Sequence, residues 1–376
     1  MEIPCVHFER CSGCERKTEI EMLPAYNEAA AYFLEKGYVL PPLRVGKVMG
    51  WRTRAKLAVR GDFSTPAIGL YEKGSHKIVD IPKCLVHHPQ INRVVERLKV
   101  WIKQNQISLY QEEKGTGALR YVQCSVERRS GKVQLVVVLN EQETALKPLL
   151  HAFYLKEQDI LHSVWINLNR RRDNLIFGEK WELIAGENEL WELICGKEIC
   201  FHPACFSQGN LEMYEKVIER IQAAIPQKSS VLELYAGTGA IGFCLSPQCK
   251  KVVCVERSPQ ARACFEATRL RLPPEEKEKI ALTVESAEDQ MRLCKEGDFS
   301  VLIVDPPRKG LDRKVTEFLE KNRSLSTFVY LSCGWDSFKR DCDQLLSFGW
   351  KLKQAEAFLF FPGTEHLELL AVFERN

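Results

Sequence analysis

The 376-residue chain contains no apolar run of about 18 residues or more, so no membrane-spanning helix is expected. It also has little net charge: 53 Lys and Arg oppose 50 Asp and Glu, for +3. No global field therefore draws it onto nucleic acid, and any such contact must come from local clusters of Lys and Arg. The candidates are Asn169-Arg170-Arg171-Arg172 and the pair Arg269 and Arg271 in "TRLRL"; a solvated helix face is the plain alternative. The first residues, "MEIPCVHFER", have neither a basic n-region nor an apolar h-region, so no secretory leader is expected and a cytoplasmic location follows. In that compartment thiols stay reduced, so the 15 cysteines are expected as metal ligands, catalysts or core residues rather than disulfides. There is no internal repeat, no low-complexity linker and no dimerisation heptad, hence no sign of an obligate protein partner.

The length exceeds what one small core needs, and two rhythms divide it. From Arg54 to about Phe201, short segments such as "KLAVRG", "AIGLYEKG", "LRYVQCSVE" and "KVQLVVVLN" read as strands separated by Gly, Ser and Pro, with one helical stretch near 90–104. This predicts a mostly antiparallel β (α+β) domain. After Phe206, a helix near 211–224 precedes apolar strands that alternate with helices: "SVLELYAG", "KVVCVE", "IALTVES", "FSVLIVD" and "TFVYLSC". That alternation predicts a parallel, doubly wound α/β sheet. The tail "WKLKQAEAFLFFPGTEHLELLAVFER" has two strands and a short turn, an antiparallel pair expected at the sheet edge.

The chemistry sits at strand ends. "VLELYAGTGAIG" spaces Gly237, Gly239 and Gly242 as G-x-G-x-x-G between a strand and a helix, where glycines allow a tight turn and close approach to a ligand. Glu256 ends the following strand, placed to accept both hydroxyls of a ribose. By itself this motif does not separate NAD from S-adenosylmethionine, and a plain strand–helix turn is the bland alternative. "FSVLIVDPPRKG" then closes a later strand with Asp305-Pro306-Pro307-Arg308. Two prolines make a rigid, non-helical loop at the carboxyl end of a parallel strand, suited to line a pocket for a flipped base. Cys333 ends the next strand, and Thr364, His366 and Glu368 alternate onto one face of the last.

Over essentially its whole length the chain resembles the S-adenosylmethionine-dependent RNA (uracil-5-)-methyltransferases. The resemblance runs in order through "CVHFERCSGC", "WRTRAKLAVRG", "GLYEKGSHKIVDIPKC", "CFSQGN", "LELYAGTGAIG", "DPPRKG", "YLSCG" and "PGTEHLEL". It implies Cys333 as nucleophile and Glu368 as general base. Carbon 5 of uracil is a poor nucleophile until a thiolate adds at C6, and a base must then take the C5 proton so that the thiol can leave. The resemblance further implies that Gln208, Tyr235, Gly237, Glu256 and Asp305 line the cofactor and base pocket, with Phe206 stacking near the target base; a core aromatic is the alternative for Phe206. Two positions depart from the family pattern. Gly334 follows the nucleophile where Asn is usual, and Leu359-Phe360-Phe361-Pro362 replaces a common Asp-Met-Phe-Pro.

Cys5, Cys11 and Cys14 have the spacing C-x5-C-x2-C, with Cys84 far downstream in "DIPKC". Four thiolates can hold a [4Fe–4S] cluster or a zinc ion. The triad plus a distant fourth ligand resembles the cluster-bearing members of the family. The spacing is not C-x3-C-x2-C and a fourth Cys closes the site, so a structural cluster is expected rather than radical chemistry. His7, His87 and His88 lie nearby as further possible ligands or as surface or core histidines. The expected organisation is a cluster segment at 1–16, a helix at 17–40 on the catalytic domain, a central RNA-binding β-rich domain at 41–203 that includes Cys84, and a methyltransferase domain at 204–376. The four-Cys pattern and the short layout, with no β-barrel in front, resemble the 23S rRNA branch. A tRNA T-loop uridine is the alternative target, and an N-methyltransferase using the Asp-Pro-Pro loop the alternative activity.

Overall fold

The computed structural model describes residues 1–140, 145–293 and 297–375. In chain order, α1 (Pro24–Glu35) and β1 (Arg44–Val45) lead into β2 (Arg54–Asp62), β3 (Thr65–Tyr71) and β4 (Ile78–Asp80). Then come α2 (Pro89–Gln104), β5 (Leu119–Val126), β6 (Val133–Leu139), α3 (Lys147–Lys156), β7 (Leu161–Leu168) and β8 (Lys180–Gly186). A hairpin, β9 (Leu190–Ile194) and β10 (Lys197–Phe201), precedes α4 (Leu211–Ala224). The remainder alternates as β11 (Ser230–Leu234), α5 (Ala240–Leu245), β12 (Lys251–Val255), α6 (Pro259–Leu270), α7 (Pro274–Lys277), β13 (Ile280–Thr283), α8 (Ala287–Leu293), β14 (Val301–Val304), α9 (Arg313–Lys321) and β15 (Thr327–Ser332). It closes with α10 (Trp335–Ser347), β16 (Lys351–Leu359) and β17 (Glu368–Glu374).

The central sheet has the order β4-β3-β2-β5-β6-β7-β8. It is antiparallel except for β6 and β7, which run parallel. A parallel pair needs a crossover, and α3 supplies it. One helical stretch was expected here and the structure has two. Only Leu150 and Phe153 of α3 are fully buried, too few for an apolar stripe to be visible in the sequence.

The second sheet has the order β1-β16-β17-β15-β14-β11-β12-β13, and its strands from β11 to β15 run parallel. Helices cover both faces, so β14 and β15 are buried at every position and read as continuous apolar runs. The C-terminal pair is antiparallel, as the short turn requires, but it is not the sheet edge. Strand β17 lies between β15 and β16, and β1 adds in parallel beyond β16, pairing Arg44 with Phe358. Helix α1 packs against α10 through an aromatic cluster, with Tyr32 and Trp335 rings 5.5 Å apart and Phe33 and Phe338 5.9 Å apart. Helix starts follow local chemistry. Asn210, Ser258 and Asp312 accept backbone N–H bonds at the starts of α4, α6 and α9, and Pro259 takes the first turn of α6.

Candidate active site

The strand ladder sets the site. Leu234, Val255 and Val304 are neighbours across β11, β12 and β14, so the residues after them, Tyr235, Glu256 and Asp305, emerge side by side at one sheet edge. Ser332 pairs with Leu369; continuing that antiparallel register by one residue sets Cys333 across from Glu368. With the strand order β17-β15-β14-β11-β12, the edge therefore reads Glu368, Cys333, Asp305, Tyr235, Glu256. Ligands of open α/β sheets bind at this carboxyl edge.

The cofactor end is a cradle of backbone. Tyr235 and Gly237 have φ of +60° and +56°. A Cβ on Gly237 would meet nothing within 4 Å, so that face is open to a ligand. Gly242, by contrast, packs on Cys254 and Glu233, and serves helix–strand contact. Glu256 accepts the N–H groups of Gly237 (3.1 Å), Arg257 and Ser258 (both 2.9 Å), which fixes its carboxylate at the end of β12. The cradle, the half-buried Asp305 and the fixed Glu256 fit S-adenosylmethionine, and S-adenosylmethionine when bound supplies an electrophilic methyl group on a sulfonium.

At the other end, burial raises the Cys333 thiol to about 11; Glu368 and Asp305 add to this and Arg308 opposes it. Burial, with Asp305 second, pushes Glu368 well above the usual carboxylate range, again against Arg308. Burial also raises Asp305 to about 7. Three acidic groups thus share one patch and repel each other's negative charge, so a cation set beside them pulls all three toward their charged forms. Arg308 is the resident cation. Its Nη2 lies 3.0 Å from His366 Nε2; the guanidinium has only protons to give, so the imidazole accepts. Arg308 and His366 were visible in "DPPRKG" and "GTEHLEL", but only the charge of Arg308 beside Cys333 and Glu368, and its bond to His366, give them a role.

The loop at 202–210 carries Phe206 and Gln208. Phe206 is 72% exposed, which rules out the core reading for it, and Gln208 is half-buried. Arg54 of β2 holds the loop, donating to Ser207 Oγ and to the Pro203 carbonyl, both at 2.7 Å. Thr53 N donates to the Gly209 carbonyl at 2.8 Å, and Asn210 Nδ2 to that of Phe360 at 2.9 Å. No local pattern marks Arg54, because its partners in this loop lie about 150 residues away.

Gly334 sits at the start of α10 without a side-chain cap. A Cβ there would fall 2.8 Å from the Arg308 carbonyl oxygen and 2.8 Å from Ser337 Oγ. The missing side chain thus lets α10 close against the Asp-Pro-Pro-Arg loop, which Ser337 Oγ also bonds at Arg308 O (2.8 Å).

Cys5, Cys11, Cys14 and Cys84 line one cavity of about 190 Å³, together with His7 and His87. Burial raises Cys14 to about 12, with Cys84, Cys11 and Cys5 adding to it. His87 is buried and its Nδ1 has no partner in the protein. His88 instead caps α2, accepting from Gln90 N. Among the described residues no three His, Cys, Asp or Glu side chains are gathered to hold a single ion. Of the two basic patches, Arg271 is absorbed in structure, stacked 3.3 Å from the Trp191 ring centroid, and Arg269 pairs with Glu266. Arg170, Arg171 and Arg172 stay exposed between β7 and β8.

Comparison with known proteins places the chain among RNA methyltransferases. An uncharacterized RNA methyltransferase of Protochlamydia amoebophila is 42% identical over 99% of this chain and 98% of its own length. One of Clostridium acetobutylicum is 27% identical over 99% of this chain and 83% of its own. The crystal structure of Pyrococcus abyssi tRNA (uracil-54, C5)-methyltransferase with S-adenosyl-L-homocysteine superposes with a TM-score of 0.79 at 23% identity, over 96% of this chain and 84% of that one, and shares the fold. Residues 188–376 match the family model described as tRNA (Uracil-5-)-methyltransferase. The chain belongs to that family, and it is an S-adenosylmethionine-dependent RNA (uracil-5-)-methyltransferase.

Proposed function

We propose that this enzyme methylates C5 of a uridine in 23S rRNA, with Cys333 as nucleophile and Glu368 as base. The observation that carries the reading is the register that sets Cys333 across from Glu368 beside Asp305. The Cys333 sulfur, having released its proton, bonds to C6, and the ring electrons move onto C5 and O4. Carbon 5 takes the methyl group. The Glu368 carboxylate then removes the C5 proton; those electrons rebuild the C5–C6 double bond and expel the Cys333 thiolate, and Glu368 passes its proton to water. Arg308 favours both anions that the reaction needs. Phe206 offers an exposed ring for stacking an unpaired base, Gln208 lines the pocket between base and cofactor, and Arg170–Arg172 offer phosphate contacts.

Cys5, Cys11, Cys14 and Cys84 are proposed to hold a [4Fe–4S] cluster with a structural role, which supports the 23S branch. A tRNA uridine is the second reading, favoured by the names of the matched family and of the solved relative. One experiment tests target and mechanism together. Transcripts of 23S rRNA and of tRNA containing 5-fluorouridine are incubated with enzyme and cofactor. The expected result is a covalent complex with the 23S transcript, because fluorine cannot leave as a proton, and no complex with Cys333→Ala. With ordinary uridine, Glu368→Gln should accumulate the same adduct. Methylation by Cys333→Ala would support an N-methyltransferase instead.

A further inference from the structure

The turn that presents Glu368 is held by the first residues of the chain. The ladder between β16 and β17 ends at the Phe358–Glu368 pair, so residues 360–367 lie outside it. Local bonds do part of the work: Thr364 Oγ1 donates to the Phe361 carbonyl (2.9 Å) and accepts from His366 N (3.3 Å). The rest comes from the cysteine segment. Glu15 N and Arg16 N both donate to the Gly363 carbonyl, at 2.8 and 3.0 Å. The Glu15 carboxylate accepts Glu365 N at 2.7 Å, and the Arg16 guanidinium lies 3.4 Å from the Glu365 carboxylate. The fit is close. Gly363 has φ +93°, and a Cβ on it would sit 3.1 Å from Cys14 Sγ and 3.2 Å from Ile3 Cδ1.

We propose that residues 14–16 are a positioning strap for the general base, and that Glu15 is its positioning residue. The inference rests on the assignment of Glu368 as base and Cys333 as nucleophile. Proton removal needs the carboxylate within hydrogen-bond reach of C5, and a displacement of about 1 Å can cost about a hundredfold. Cys333 does not depend on the turn. It is carried by β15 and α10, and the Arg308 backbone is held by Ser337; only the Arg308 guanidinium reaches the turn, at His366. Loosening the strap therefore slows the second half of the reaction, C5 proton removal and thiolate expulsion, more than it slows addition at C6.

The test uses the full chain with its metal content measured, comparing wild type, Glu15→Gln, Glu15→Ala and Glu15→Ala/Arg16→Ala. The RNA is the 23S transcript, or the tRNA transcript if that is the one wild type methylates. For the alanine variants the expected results are a fall in kcat of up to about tenfold, the size of one or two lost hydrogen bonds, and a KM for RNA within about twofold. Covalent enzyme–RNA complex should build up severalfold during turnover on ordinary uridine, while the rate of trapping by 5-fluorouridine RNA stays within about twofold of wild type. Glu15→Gln keeps an acceptor and should behave as wild type. The inference is overturned if kcat does not change, or if trapping falls in parallel with kcat, which would mean general loosening. If the double variant does not fold, the Glu15→Ala comparison decides alone. Cys333→Ala is run alongside: an adduct in that variant overturns the nucleophile assignment itself, a different failure from normal Glu15→Ala kinetics.

Discussion

Glu233 is 3% exposed and lies beneath the glycine loop, accepting Gly242 N at 2.9 Å. Burial raises its carboxyl to about 8. The unfolded value is about 4.3, so between those values the folded chain holds a proton that the unfolded chain has lost. Stability then falls as pH rises through that window and levels off above about pH 8. Glu233→Gln has no charge to bury and can still accept from Gly242 N. Its melting temperature should exceed wild type by at least about 3 °C more at pH 8.5 than at pH 5. An equal difference at both values would show that Glu233 ionises freely. Gly334 poses the opposite problem, of volume. Gly334→Asn places a Cβ against the Arg308 carbonyl, and the loop must move. A fall in kcat of about tenfold is expected, with melting lowered by only a few degrees, as measured by turnover and calorimetry.

The elements were unevenly legible in the sequence. Strands β11, β12, β14 and β15 announced themselves as apolar runs because both their faces are covered, and their ends delivered Tyr235, Glu256, Asp305 and Cys333 in one row. Glu368 was named through the family resemblance; the expected alternation of Thr364, His366 and Glu368 along the last strand does not hold, because β17 starts only at Glu368 and Thr364 and His366 belong to the turn. Strand β1, two residues long, has no periodicity to read, yet it covers β16 and moves the C-terminal pair off the sheet edge. Arg54 and Glu15 were silent for a different reason. Each acts through one long-range hydrogen-bonding set, and a contact across 153 or 350 residues leaves no local pattern. The four cysteines were visible as a set, and their convergence on one cavity followed only once β3, β4 and the segment before α2 were in place.

Buried charge ties the central sheet to the β9–β10 hairpin and to α4. Arg128, in the turn between β5 and β6, donates to Glu192 Oε2 and to Glu215 Oε2, both at 2.7 Å, and to the Leu193 carbonyl at 2.6 Å. Glu192 is 3% exposed, so removing Arg128 strands a buried carboxylate. Arg128→Ala should lower unfolding free energy by about 3 kcal/mol in urea titration, and Arg128→Ala/Glu192→Gln should recover part of it. If the double variant is no better than the single, the clamp is packing rather than charge.

The strap between Glu15 and Glu365 also orders events in time. Ribosomes add roughly 5–20 residues per second, so the about 350 residues between these partners take about 20–70 s to make. Through that interval the cysteine segment and α1 have emerged without the turn or α10 that they cover. A nascent chain can complete its glycine loop and the strand that carries Cys333 first; Glu368 is set only when the last strand threads between β15 and β16. Until the chain is finished, Glu368 has no place beside Cys333 and the fold cannot close around its own beginning.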